Sequence, residues 1–155
     1  MQVRKVVTRS GRGFRGFFPS KKLNRHVAFE SLLERDAIAL FEKSDQVVSY
    51  REQPVLIYFY DGLEQKKYYP DFELEMDNGE VIHVEVKPAI LLLSLKLTIK
   101  YQAIQSHYCN RPEHFAILTD KELRRVQSDK TTIYDLLNNN HLAQQKGDGH
   151  DAFLI

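Results

Sequence analysis

Tyr69-Pro70-Asp71-Phe72-Glu73-Leu74-Glu75-Met76-Asp77-Asn78-Gly79-Glu80-Val81-Ile82-His83-Val84-Glu85-Val86-Lys87 is the stretch on which the fold turns. Asp77-Asn78-Gly79 reads as a three-residue hairpin loop, with Gly79 at the position that requires a left-handed backbone. Such a loop sets Met76 opposite Glu80, Glu75 opposite Val81, Glu73 opposite His83 and Asp71 opposite Glu85. Side chains alternate along a strand. One face therefore collects Asp71, Glu73, Glu75, His83, Glu85 and Lys87, and the other Phe72, Leu74, Met76, Ile82, Val84 and Val86. A slip of one residue would mix the two sets, so the pattern specifies its own register.

Directly opposed side chains have Cβ atoms about 5 Å apart, and like charges there destabilise the pair. Asp71 facing Glu85 thus asks for a cation. Hard oxygen donors at close quarters suit Mg2+, with Mn2+ able to substitute. Lys87 follows on the same face, within reach of a phosphate or an attacking water. Metal, carboxylates and lysine together are the parts needed for phosphodiester hydrolysis. Charged hairpin faces are also common as plain solvated surface, and the motif alone is weak. The apolar opposite face and Pro70 ahead of Asp71 favour the site.

Working outward, Val27–Lys43 shows helical periodicity, with Leu33, Ala37, Leu40 and Phe41 as an apolar stripe. Strands are expected at Val47–Tyr50, Val55–Tyr60, Tyr68–Met76 and Glu80–Lys87, with a turn at Asp61-Gly62. Lys96–Cys109 reads as helix, Phe115–Thr119 as a short buried strand, Lys121–Gln127 as a helical start, and Ile133–Gln145 as a last helix. This order describes an α/β (α+β) fold with a mixed central β-sheet flanked by helices.

A chain of 155 residues is expected to form one domain. The net charge of +1 conceals a division. Residues 1–25 carry Arg4, Lys5, Arg9, Arg12, Arg15, Lys21, Lys22 and Arg25 and no acid, and the remainder is net −7. A basic, flexible DNA-binding arm at 1–25 ahead of a single domain at 26–155 is the expected organisation. The single Cys109 excludes an internal disulfide and a thiolate zinc cage, and points to a cytoplasmic setting. Ala89–Leu95 is too short to cross a bilayer.

Pro70-Asp71 followed by Glu85-Val86-Lys87 resembles the PD-(D/E)xK nucleases. The closer likeness is to the TnsA transposon-end endonuclease domain, carried by Ser31-Leu32-Leu33-Glu34, Arg51-Glu52-Gln53-Pro54, Lys87-Pro88 and Thr119-Asp120-Lys121-Glu122. The likeness spans roughly residues 26–125. It implies a restriction-endonuclease-like core, metal ligation by Glu34, Asp71 and Glu85, and a catalytic Lys87. Glu30 lies one turn before Glu34, so geometry alone does not choose between them; the family motif favours Glu34. Some members have glutamine at the third ligand position, where this chain keeps Glu85. Longer members carry a second carboxy-terminal domain, which the roughly 30 residues after Arg125 do not supply. The resemblance further implies a prokaryotic or phage-encoded protein that cuts one strand at transposon ends, beside a DDE-type transposase subunit and an AAA+ regulator.

Other readings stand beside this one. A phage or repair nuclease of the same fold would act on DNA ends or branched DNA. A catalytically silent DNA-binding module would keep the fold alone. The six histidines form no H-x-x-x-H or H-E-x-x-H set. His83 sits near the site as a possible substrate contact. Tyr58, Tyr60, Tyr68 and Tyr69 fit sheet packing better than base stacking. Arg51, Glu52 and Gln53 form either a buried brace or a strand contact.

Overall fold

Pairing between Phe72–Met76 and Val81–Val86 is antiparallel and follows the expected register: Phe72 with Val84, Glu73 with His83, Leu74 with Ile82, Glu75 with Val81. Gly79 closes the loop at φ 86°. The Glu80 N–H donates to Asn78 Oδ1 at 2.9 Å, and the Gly79 N–H to the Met76 carbonyl at 3.0 Å.

The computed structural model describes residues 14–125, 128–139 and 141–142. In chain order it comprises β1 (Gly16–Ser20), β2 (Arg25–Phe29), α1 (Leu32–Lys43), β3 (Val47–Glu52), β4 (Ile57–Tyr60), β5 (Gln65–Tyr68), β6 (Phe72–Met76) and β7 (Val81–Val86). There follow a 3-10 turn (Ala89–Leu93), α2 (Leu95–Tyr108), β8 (His114–Leu118), α3 (Asp120–Leu123) and α4 (Ile133–Leu137). The central sheet runs β3-β6-β7-β8, antiparallel except for the parallel β7/β8 pair. It is a mixed sheet with helices against it. No helix among the described residues is long and apolar enough to cross a membrane.

The apolar hairpin face is buried throughout. Phe72, Leu74, Met76, Ile82, Val84 and Val86 pack with α1, β2 and α4 in one core. The opposite face is covered over His83 and Glu85, while Glu75 is exposed. A second core joins Ile57, Phe59 and Tyr68 of the β4/β5 hairpin to Tyr101, Ile104 and Tyr108 of α2. His83 and Glu85 therefore lie under a lid of aromatic side chains.

Several expected boundaries shift, two of them for a clear local reason. Helix α1 starts at Leu32 rather than Val27, because Val27–Phe29 pairs with Gly16–Phe18 in an antiparallel hairpin. Ser31 is the N-cap, its Oγ accepting from the Glu34 N–H at 3.1 Å. The expected strand Tyr68–Met76 is divided at Tyr69-Pro70. Pro70 has no N–H to give a ladder, and β5 pairs with β4 whereas β6 pairs with β3 and β7. The last helix, expected to Gln145, ends at Leu137; its expected end lies outside the described residues.

The β1/β2 hairpin straddles the expected arm–domain boundary and is tied to the body. Ser20 Oγ donates to Glu42 at 2.7 Å. Lys22 Nζ donates to the carbonyls of Phe41, Ser44 and Val47 at 2.8, 2.8 and 2.7 Å, closing the end of α1.

Candidate active site

Asp71 stands immediately before β6 and Glu85 near the end of β7, so the hairpin register carries both to the same end of the sheet. The Asp71 Oδ2 accepts the Val86 N–H at 2.8 Å, and its carbonyl accepts the Gln53 N–H at 2.9 Å. Gln53 takes φ 42° to make that turn. Burial pushes the Asp71 carboxyl well above the ordinary carboxylate range, and the charges of Glu85 and Glu34 push it further. The Val86 N–H and the Lys87 ammonium offset this only in part.

Glu85 is only 6% exposed. Tyr68 donates its hydroxyl to Oε2 at 2.6 Å and Tyr101 donates to Oε1 at 2.9 Å. Burial, then the adjacent Glu85 charge, raises the pKa of both phenols, so they remain donors. Lys87 Nζ lies 3.6 Å from Glu85 Oε1, with 27% of its side chain exposed. The Lys87 N–H donates to the Leu118 carbonyl at 3.0 Å, fixing its backbone across the parallel pair.

Glu34 is on the first turn of α1. Its Oε2 accepts the Glu30 N–H at 2.8 Å, and its charge is felt at Asp71. Glu30 is thus placed by its backbone as the support for Glu34.

The fold brings Asp71, Glu85 and Lys87 to one end of the sheet, and the charge of Glu34 acts on Asp71. Among the described residues, no three His, Cys, Asp or Glu side chains close around a point that would hold a metal ion. The donor chemistry nevertheless fits one: hard carboxylate oxygens, in a setting where burial and the charges of Glu85 and Glu34 oppose ionisation of Asp71 and a cation would favour it. Asp71 and Glu85 would hold the ion, with Glu34 the third ligand that the sequence resemblance implies.

The other expected residues are sorted by their contacts. His83 Nδ1 is 2.7 Å from the Tyr108 hydroxyl and Nε2 is 2.8 Å from Glu73 Oε2. Glu73 in turn pairs with Arg51 at 3.1 Å. His83 is therefore a link in a buried polar chain, not a substrate contact. Glu52 is a brace to β2, binding Arg25 at 2.9 Å and the Ala28 N–H at 3.1 Å. Thr119 and Glu122 form a capping box at the start of α3. Tyr58 and Tyr60 point outward while Tyr68 is buried.

Of the expected DNA-contacting cations, Arg4, Lys5, Arg9 and Arg12 lie outside the described residues. Lys22 gives its ammonium protons to the carbonyls of Phe41, Ser44 and Val47, and Arg25 is held by Glu52. Arg15 is half-buried and Lys21 is exposed. Sequence reasoning missed the two tyrosines on Glu85 as site residues. Tyr68 was legible only as a β-strand aromatic, and nothing in α2 marks Tyr101. Compared with known protein families and with curated proteins, the chain matches none.

Proposed function

We propose that this protein is a Mg2+-dependent endodeoxyribonuclease with a restriction-endonuclease-like core, cutting one strand at transposon ends as the nuclease subunit of a heteromeric transposase. The observation that carries the nuclease reading is the placing of Asp71, Glu85 and Lys87 at one sheet end, where burial and the charges of Glu85 and Glu34 oppose ionisation of Asp71 and a cation would favour it. The transposon assignment, with a DDE-type transposase and an AAA+ regulator as partners, rests on the sequence resemblance.

When bound, the metal would neutralise phosphate charge and lower the pKa of a water. The chain's own groups do the rest. Asp71 presents an oxygen fixed by the Val86 N–H. Tyr68 and Tyr101 hold the Glu85 carboxylate in one orientation. Lys87 is exposed enough to reach a phosphate oxygen and offset charge developing there.

The test is plasmid nicking with Mg2+, with and without the transposase partner, by the wild type, Asp71→Asn and Lys87→Met. Each variant is expected to lose about 100-fold or more in rate while DNA binding stays within a few-fold. Metal-free Asp71→Asn should melt at or above the wild-type temperature, since it removes repulsion. Wild-type nicking by Asp71→Asn would overturn the site. Rapid, unaided plasmid degradation by the isolated chain would favour a phage or repair nuclease. The double tyrosine clamp on Glu85 favours, as a second reading, a silent DNA-binding module; tight DNA binding without cleavage under any condition would establish it.

A further inference from the structure

Immediately after Lys87 the chain makes an apolar knuckle that faces solvent. Ile90 is 73% exposed, Leu93 77% and Leu95 74%, with Leu91 and Ile99 also outward. The backbone that carries these side chains is pinned. Leu92 is buried in the second core, and its carbonyl accepts from Thr98 Oγ1 at 3.0 Å. The Ala89 N–H donates to Asp120 Oδ1 at 2.7 Å, and the Leu91 N–H to the Pro88 carbonyl at 3.0 Å. An exposed aliphatic cluster on a fixed backbone marks a contact surface, because the fold gains nothing from exposing it.

Charge indicates what it contacts. The body after residue 25 is net −7, yet Pro88–Asn110 contains no acid and carries Lys96 and Lys100, both exposed. The charged side chains that this segment itself supplies are lysines, with Asp120 engaged by the Ala89 N–H, which suits a polyanion better than a second copy of the same segment. Position indicates where on the polyanion. Three peptide units separate Lys87 from Ile90, so their Cα atoms lie within about 11 Å. At a rise of about 3.4 Å per nucleotide, that is about three nucleotides along a strand. Aliphatic side chains at such a place can enter a base step and unstack it.

We infer that Ile90, Leu91 and Leu93 form a wedge that unstacks duplex DNA within about three nucleotides of the scissile phosphate, with Lys96 and Lys100 on the flanking phosphates. The inference rests on the nuclease reading and specifies its substrate: a duplex that must be distorted before it is cut.

Permanganate reactivity of thymines on a supercoiled plasmid tests it, with cuts mapped on the same DNA. With metal withheld, wild-type protein should make thymines reactive within about three nucleotides of the positions later cut with Mg2+. Ile90→Ser/Leu93→Ser should lose that reactivity and nick paired duplex more slowly. A substrate carrying a two-base mismatch at the cut should restore its rate to the wild-type level. A purely structural defect would not be rescued by a mismatch. Binding and cutting without thymine reactivity would overturn the wedge and leave the nuclease reading intact. Thymine reactivity without cleavage by wild type, with or without partner, would sink the nuclease reading while the unstacking contact stood. Absence of DNA binding would sink both. A change in oligomeric state or in vesicle binding in the double variant, with unstacking unaltered, would assign the knuckle to a protein or membrane contact.

Discussion

Burying a carboxylate costs several kcal/mol unless it is hydrogen-bonded, and Glu52, Glu85 and Glu122 are all buried here. Glu52 is held by Arg25 and a backbone N–H, Glu85 by two phenols beside Lys87. Glu122 has the densest set. Its Oε2 accepts from the Thr119 N–H at 2.9 Å and the Thr119 hydroxyl at 2.5 Å, and Oε1 accepts from Asn139 Nδ2 at 2.6 Å and meets His141. Burial alone would raise its pKa, but His141 and Thr119 together bring it down to about 2. A depressed carboxylate stabilises the fold above its unfolded value, about 4.5. That contribution is lost as pH falls through the folded value. The shift corresponds to on the order of 3 kcal/mol. Glu122→Gln should therefore lower the melting temperature at pH 7 and flatten its fall between pH 4.5 and 2. An unchanged acid limb in calorimetry would show that the cluster is not the titrating element.

The β6/β7 hairpin was readable because two independent signals agree on it. Asp77-Asn78-Gly79 sets the loop, and the alternation of Phe72, Leu74 and Met76 with acids sets the face. Gly79 at φ 86° has no neighbour within 4 Å of a built Cβ, so Gly79→Ala should cost only backbone strain, about 1–2 kcal/mol. Denaturant midpoints would measure it. Since register is pinned along the strands, nicking under stabilising conditions should stay near wild type; a large activity loss would mean the loop itself sets the register. The β1/β2 hairpin was not readable. Gly11, Gly13 and Gly16 among arginines look like flexible chain, and the pairing of Phe18 with Val27 is visible only once folded. The cover over the polar hairpin face was equally hidden. Alternation labels His83 and Glu85 as polar, but α2 and β4/β5, distant in sequence, decide that they are buried.

Two cores share one sheet, and the amino-terminal hairpin is fastened to the first of them. Residues 16–25 are therefore part of the folded body. Removing residues 1–25 takes away β1, Ser20, Lys22 and Arg25, with the bonds to Glu42, to the carbonyls of Phe41, Ser44 and Val47, and to Glu52. Removing 1–13 spares all of these. The short truncation should keep its melting temperature within a degree or two. Deletion of 1–25, costing several kcal/mol, should lower it by about 10 °C or more. Loss of Arg4, Lys5, Arg9 and Arg12 should also reduce the salt slope of DNA binding by up to about 3–4. An unchanged slope would make those arginines and lysine bystanders. Equal melting of the two truncations would make the hairpin dispensable.

The bond from the Val86 N–H to Asp71 Oδ2 has a use beyond positioning. An amide proton aimed at a single carboxylate oxygen shifts in a nuclear magnetic resonance spectrum whenever that oxygen gains a proton or an ion. Val86 has no side-chain chemistry and lies behind the carboxylate, in the buried sheet. Its backbone resonance is therefore a native gauge of what Asp71 holds, readable in the unmodified protein without a label at the site or a substrate to turn over.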